Sequence, residues 1–151
     1  MSELFDLQNK NVLLTGASKG MGLAMAQGLA NHGANVVISS RKLDQCQKAI
    51  ETINESIGQE KAFAFSCNAS SKDELNALVD FSISKLGSIT TLVCNAGVNS
   101  FFGSMSEIDD ESYDKTMNTN VKSNHWLINM ITPSMKESGG GSIMITSSIA
   151  A

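Results

Sequence analysis

The sequence has little cysteine, no long apolar run and no strong excess of either charge. Its three cysteines are far apart, odd in number and without a CxxC pair or a histidine cluster, so we predict neither a disulfide framework nor a metal site. We expect Cys46, Cys67 and Cys94 to be reduced residues of the core. No apolar run approaches membrane-spanning length. The formal net charge of -4 argues against nucleic acid or an anionic membrane as partner. We expect a small-molecule partner instead.

The first ten residues, MSELFDLQNK, mix acidic, polar and apolar side chains. They lack both the apolar core of a secretory signal and the arginine-rich pattern of a transit peptide. We therefore expect a soluble, cytoplasmic protein. The length and the apolar content fit one compact domain over residues 1–151.

Short apolar runs alternate with helical stripes along the chain. Strands are predicted at residues 12–14, 36–38, 62–65, 89–94 and 142–146. The first helix is expected to bury a face that contains Met21, Ala24, Met25, Gly28 and Leu29. The alternation predicts an α/β fold of the Rossmann type, a doubly wound parallel sheet with helices on both faces.

Three further helices are predicted. One covers residues 43–57 and stops at Gly58, and the next follows a capping-box pattern formed by Ser71 and Glu74. The last is one long helix from about residue 107 to 131. Its expected apolar stripe consists of Tyr113, Met117, Val121, Leu127 and Ile128.

A glycine-rich turn, Thr15-Gly16-Ala17-Ser18-Lys19-Gly20-Met21-Gly22, joins the first strand to the first helix. A helix N-terminus offers backbone N–H groups and a positive dipole end to a pyrophosphate. Glycine is needed where a Cβ would block the phosphates or the contact between helix and strand. The turn therefore predicts a dinucleotide site, whereas a tight turn without a ligand is the alternative. Its candidate binding residues are Thr15, Gly16, Ser18, Lys19, Gly20, Met21 and Gly22.

The end of the second strand indicates which dinucleotide is bound. An acidic residue there accepts hydrogen bonds from the adenine ribose and repels a 2'-phosphate. This sequence has Ser40, Arg41 and Lys42 at that point instead. Arg41 can pair with a phosphate in bidentate fashion, Ser40 can donate to it, and Lys19 can approach it from the glycine loop. We predict NADP rather than NAD as the cofactor.

These motifs resemble those of the short-chain dehydrogenases and reductases. The family's Thr-Gly-x-x-x-Gly-x-Gly motif matches residues 15–22, and its Asn-Asn-Ala-Gly motif corresponds to Cys94-Asn95-Ala96-Gly97. The resemblance implies that Asn95, Ala96 and Gly97 line the adenosine side of the cofactor. It also assigns adenine contacts to Asn68, which replaces the family's Asp, and to the adjacent Ala69. An ordinary turn role for Asn68 stays open.

The resemblance also implies catalytic residues. Asn120 matches the Asn of the family's Asn-Ser-Tyr-Lys tetrad, where a bound water takes part in a proton relay. Asn118 is the alternative candidate for this position. Ser148 matches the catalytic Ser that polarises a substrate carbonyl. The family's Tyr-x-x-x-Lys pair is missing, because the single tyrosine, Tyr113, is followed four residues later by Met117.

The implied function is hydride transfer between NADP(H) and a small carbonyl or alcohol substrate. The segments at residues 36–42, 98–104 and 139–151 are similar to the peroxisomal carbonyl reductase and retinol dehydrogenase subgroup and its bacterial relatives, so a peroxisomal location is an alternative. Phe101 and Phe102 either line a substrate entrance or pack their loop. We expect a C-terminally incomplete domain, truncated after the fifth strand and inactive alone, whose full-length relatives are homo-oligomers. The alternatives are a non-catalytic NADP(H)-binding or subunit-pairing module and an interaction protein that binds no nucleotide.

Overall fold

The computed structural model describes residues 3–148 of the chain. Two parts of the predicted domain lie outside the described residues, namely residues 1–2 and residues 149–151, which end the segment at 139–151. The strands and helices within that range are β1 (Asn11–Thr15), α1 (Gly20–Asn31), β2 (Asn35–Ser40), α2 (Leu43–Ile57), β3 (Ala62–Ser66), α3 (Lys72–Leu86), β4 (Thr91–Cys94), α4 (Asp110–Met117), α5 (Ser123–Glu137) and β5 (Ser142–Ile145).

The strands form a parallel sheet in the order β3-β2-β1-β4-β5. Successive side chains of a strand point to opposite faces, and each face carries its own apolar core. Val12, Leu14 and Ile38 pack on the side of α1 and α2. Leu13 and Leu92 pack on the opposite side, with residues of α3 and α5. The predicted α/β fold of the Rossmann type, with helices on both faces, is confirmed.

The buried face of α1 differs from the predicted one. Gly22, Ala26 and Ala30 are the buried residues of this helix, whereas Met21 is 69% exposed. Small side chains occupy the contact because α1 lies close to the sheet, and a larger side chain would hold the two apart. Met25 and Leu29 of the predicted face are partly buried and pack against the core, whereas Met21, Ala24 and Gly28 are exposed. The predicted face is therefore correct only in part.

The predicted long helix is divided by a wider turn. The segment Asn118–Lys122 between α4 and α5 is π-helical, and the Ser123 backbone N–H donates to the carbonyl of Asn118, five residues earlier. The expected stripe is also wrong in its first half, because Tyr113, Met117 and Val121 are exposed. The apolar face that packs on the sheet begins only in α5, with Leu127 and Ile131.

Turn chemistry sets the ends of the helices as expected. Gly58 ends α2 in the left-handed conformation with φ 65°, and Gly87 follows α3 with φ 78°. The Ser71 side chain accepts a hydrogen bond from the Glu74 N–H at the start of α3. Glu74 does not complete the capping box, since its carboxylate accepts from the Asn68 backbone N–H at 2.8 Å.

Strand β5 forms one edge of the sheet and is exposed along its length, including Ile143, Met144 and Ile145. The strand pairs with β4 alone, with Leu92 opposite Ile143 and Cys94 opposite Ile145. Over residues 3–148 no helix is long and apolar enough to cross a membrane.

Candidate functional site

A cleft of about 890 Å³ lies at the carboxyl ends of the central strands. The chain passes from β1 outward to β2 and β3 and then returns to β4 on the other side of β1. The connections that follow β1 and β4 therefore diverge and leave a crevice between them, which is where open α/β sheets bind ligands. The lining residues are Thr15, Gly16, Ser18, Lys19, Ser39, Ser40, Arg41, Lys42, Gln45, Cys67, Asn68, Ala69, Ser70, Asn95, Ala96, Gly97, Val98, Lys115 and Thr119.

The glycine loop packs directly on the segment that follows β4. Gly16 has φ 64°, and a Cβ at that position would lie 2.7 Å from the Ala96 Cα. A Cβ on Gly22 would meet the Gly16 carbonyl oxygen and would lie 2.6 Å from Asn95 Nδ2. These close contacts therefore require glycine at both positions.

Hydrogen bonds connect the ends of β1 and β4. The buried Thr15 hydroxyl accepts from the backbone N–H groups of Asn95 and Ala96, both at 3.1 Å. Asn95 Nδ2 donates to the Gly16 carbonyl at 2.9 Å, and Asn95 Oδ1 accepts from the Thr146 hydroxyl at 3.1 Å. Asn95 thus ties the glycine loop to the segment after β5.

Four cations line the cleft, namely Lys19, Arg41, Lys42 and Lys115, and their side chains are exposed. Among the lining residues that the structure describes there is no carboxylate. The whole chain nevertheless carries a formal net charge of -4. The cleft therefore carries a local excess of positive charge in an acidic chain, which favours an anionic ligand.

Ser40, Arg41 and Lys42 form a basic wall of the cleft at the end of β2. The Ser40 hydroxyl has partners within the protein. Ser40 Oγ lies 3.1 Å from the Sγ of Cys46. It also accepts from the Lys42 backbone N–H and donates to the Lys42 carbonyl oxygen, both at 3.3 Å. Cys46 is fully buried, and burial raises the pKa of its thiol.

The wall after β3 is organised by short polar contacts. The Asn68 side-chain oxygen Oδ1 accepts from the Ser70 backbone N–H at 3.1 Å, so this side chain forms a local turn. The Ser70 and Thr119 hydroxyls lie 2.6 Å apart and join this wall to the helical segment after α4. Cys67 is buried beside them, where loss of hydration and the nearby Glu74 carboxylate raise its pKa to about 12.

Asn120 forms a clamp on the segment that follows Gly97. Its Nδ2 donates to the Val98 carbonyl, and its Oδ1 accepts from the Val98 N–H, both at 2.8 Å. The Asn120 backbone carbonyl accepts from Asn124 Nδ2 at 2.8 Å. The side-chain amide of Asn120 is therefore engaged with backbone at both ends, whereas no hydrogen bond of the Asn118 side chain is found among the described residues.

The structure brings most of the predicted site residues to the cleft, but not all of them. Gly20, Met21 and Gly22 lie at the start of α1 and are not lining residues, and neither are Asn120 and Ser148. Ser148 is exposed and follows β5 by three residues. Phe101 packs against Gly103 within its own loop, and Phe102 is 87% exposed.

Sequence reasoning missed several lining residues, of which Lys115 and Thr119 are the most informative. They lie one helical turn apart, and Thr119 is buried. Two polar residues four positions apart lie on the same face of a helix, and this spacing just before Asn120 could have indicated that both face the site. Among residues 3–148 no three His, Cys, Asp or Glu side chains converge as metal ligands.

Comparisons of the sequence and of the structure with known proteins both find short-chain dehydrogenases and reductases. The family model described as short chain dehydrogenase matches residues 10–151. Human dehydrogenase/reductase SDR family member 4 is 38% identical over 146 residues, which is 96% of this chain and 51% of the relative. The chain thus spans about half the length of the curated relatives it matches.

Two solved structures illustrate the similarity of fold. A 7 alpha-hydroxysteroid dehydrogenase complexed with NADH and 7-oxo glycochenodeoxycholic acid is 35% identical with a TM-score of 0.90, covering 97% of this chain and 56% of that one. A metagenomic short-chain oxidoreductase in complex with NADP is 29% identical with a TM-score of 0.88, covering 95% and 64%.

Proposed function

The chain belongs to the short-chain dehydrogenase family, and on that premise we propose that its cleft binds NADP(H) as the cofactor half of an oxidoreductase. The observation that carries the proposal is the set of four cations, without a lining carboxylate among the described residues, in an acidic chain. Solved relatives bind NADP in one case and NADH in others, so the family alone does not select the cofactor. The local charges carry that choice.

The residues of the cleft fit a dinucleotide. Gly16 and Gly22 are in close backbone contacts that a Cβ would disrupt, and no described side chain caps the N-terminus of α1. Backbone N–H groups of the first turn are thus available to a pyrophosphate. Thr15, Ser18 and Lys19 would flank it, and further contacts from the loop are proposed for Gly20 and Met21.

The adenosine end would lie between the walls that follow β2, β3 and β4. Ser40, Arg41 and Lys42 would contact a 2'-phosphate, because a guanidinium binds phosphate oxygens in bidentate geometry and a hydroxyl can donate to them. Asn68 and Ala69 would contact the base, and Asn95, Ala96 and Gly97 would form the floor of the site.

The proposed reaction is hydride transfer between NADP(H), which supplies the redox chemistry, and a small carbonyl or alcohol substrate. Ser148 would donate a hydrogen bond to the substrate oxygen. Asn120 would act chiefly by holding Val98, since its side-chain amide is occupied by that backbone. No tyrosine followed four residues later by a lysine occurs in the sequence, so we propose that these 151 residues alone do not turn over substrate.

The missing acid pair also supports the second candidate, a non-catalytic NADP(H)-binding or subunit-pairing module. Both candidates require cofactor binding, and they differ in turnover. A cytoplasmic location and homo-oligomeric full-length relatives remain part of the proposal, with a peroxisomal location as the alternative.

Binding is tested by titrating the purified chain with NADPH and with NADH while nicotinamide fluorescence is followed. We expect NADPH to bind more tightly by about tenfold or more, since a charge-assisted hydrogen bond contributes about 1.5–3 kcal/mol. Arg41→Ala is expected to remove most of that preference. Lys48→Ala, which removes an exposed cation of α2 outside the cleft, is the matched control and is expected to keep it. No measurable binding of NADPH would instead favour an interaction protein that uses no nucleotide.

Turnover is tested by incubating the chain with NADPH and a panel of dicarbonyl compounds. We expect no oxidation of NADPH above the background, because proton delivery by a tyrosine is absent. Robust turnover would refute the predicted inactivity.

A further inference from the structure

The buried thiol of Cys46 is an unexplained feature of the basic wall. Cys46 is the fourth residue of α2 and is fully buried, with its sulfur 3.1 Å from Ser40 Oγ. Ser40 is its only hydrogen-bonding side chain within the described range. Burial raises the pKa of the Cys46 thiol, so the sulfur keeps its proton at neutral pH.

The hydrogen-bonding capacity of the Ser40 hydroxyl follows from these neighbours. A hydroxyl has one proton and two lone pairs. The Lys42 backbone N–H donates to Ser40 Oγ at 3.3 Å, and the thiol of Cys46 is a second possible donor. When both donate, the lone pairs are filled and the hydroxyl proton must go to an acceptor elsewhere. In the structure that acceptor is the Lys42 carbonyl oxygen, to which the Ser40 hydroxyl donates at 3.3 Å. This contact is as long as the one from the Lys42 N–H, and a bound phosphate oxygen would have to replace it.

We propose that Cys46 is a positioning residue for cofactor choice, whose thiol donates to Ser40 Oγ and so directs the Ser40 proton toward a phosphate on the ribose 2'-oxygen. The inference rests on the proposed function, because it requires that a 2'-phosphate bind at this wall. A phosphate dianion offers only acceptors, so it needs Ser40 as a donor. A ribose 2'-hydroxyl both donates and accepts, so it can adapt to either orientation of the Ser40 hydroxyl.

This difference predicts a selective effect of Cys46. Loss of the thiol frees one lone pair of Ser40 and lets its hydroxyl rotate, which weakens the contact with the phosphate. The contact with an unphosphorylated ribose changes little. A purely structural role for Cys46 would instead weaken the binding of both cofactors together.

The test measures the Kd of NADPH and of NADH for the full chain and for Cys46 variants. Cys46→Ala is expected to raise the Kd of NADPH about fivefold, because the contact between Ser40 and the phosphate is weakened but not lost. The Kd of NADH is expected to stay within about twofold of the wild type. Cys46→Val fills the volume without a donor and gives the same result if the alanine variant folds poorly. Cys46→Ser keeps a donor and is expected to preserve the preference for NADPH.

Two controls complete the experiment. Ile53→Val alters a buried residue of the same helix that has no hydrogen-bonding group, and both Kd values are expected to stay within about twofold of the wild type. In a Ser40→Ala background, Cys46→Ala is expected to have no further effect. A wild-type chain without a preference for NADPH overturns the proposed cofactor. A wild-type preference that persists unchanged in Cys46→Ala and Cys46→Val overturns the role of Cys46 alone.

Discussion

Two glycines of α1 are expected to respond in opposite ways to the same substitution. A Cβ on Gly22 would meet the Gly16 carbonyl oxygen, and it would lie 2.6 Å from Asn95 Nδ2 and 2.7 Å from the Ala17 Cα. These are backbone atoms and a hydrogen-bonded amide, so they cannot rotate away. A Cβ on Gly28 would meet no atom within 4 Å, and this residue is exposed.

The magnitudes follow from three contributions. Overpacking costs about 1–3 kcal/mol, and loss of the hydrogen bond from Asn95 Nδ2 to the Gly16 carbonyl costs about 1 kcal/mol more. The gain in helix propensity from Gly to Ala offsets about 1 kcal/mol. We therefore expect Gly22→Ala to lower the free energy of unfolding by about 2 kcal/mol, while Gly28→Ala raises it by up to about 1 kcal/mol.

Urea unfolding followed by circular dichroism and by the fluorescence of Trp126 measures both variants under the same conditions. The expected gap between them is about 3 kcal/mol, which is well above the error of the extrapolation. The steric reasoning would be refuted if Gly22→Ala were as stable as Gly28→Ala, because both changes add one methyl group to the same helix.

Two further predictions concern the clamp on Val98 and the buried thiols. Asn120→Ala removes two hydrogen bonds, so we expect it to lower the free energy of unfolding by about 2 kcal/mol and to speed amide exchange at Val98. Asn118→Ala is the control and is expected to leave both quantities nearly unchanged. Equal effects of the two variants would contradict the clamp. Burial raises the pKa of the Cys94 thiol from 9.0 to about 11, so the unfolded chain ionises at a lower pH than the folded one. The contribution of this thiol to stability is therefore complete below about pH 9 and is lost as the pH rises toward 11. The free energy of unfolding should therefore fall less steeply between pH 9 and 11 in Cys94→Ala than in the wild type, and parallel pH profiles would rule this out.

Much of the fold could be predicted because its signals are local. The apolar runs of β1 and β2 and the glycines after α2 and α3 mark the elements and their ends with little help from distant residues. The buried face of α1 was found only in part, since its closest contacts are made by Gly22, Ala26 and Ala30, which contribute little to an apolar pattern. The π-helical turn at residues 118–122 likewise has no apolar signature.

The candidate site was predictable only where a motif is contiguous. The glycine loop and the basic residues after β2 each lie in one short segment, and the structure gathers most of them at one cleft. Lys115 reaches the same cleft from a helix that follows β4, and Asn120 meets Val98 across 22 residues. Such contacts depend on the topology of the sheet, which the local pattern does not specify in detail.

The segment from Asn95 to Val98 has a consequence for the rate of ligand binding. It belongs to no helix or strand, yet Thr15 holds its beginning and Asn120 holds its end. Its conformational entropy is therefore already lost when the chain folds, and a ligand does not have to order it. Association at this floor should proceed in a single step, with an observed rate constant that rises linearly with ligand concentration and reaches no plateau from a slow rearrangement.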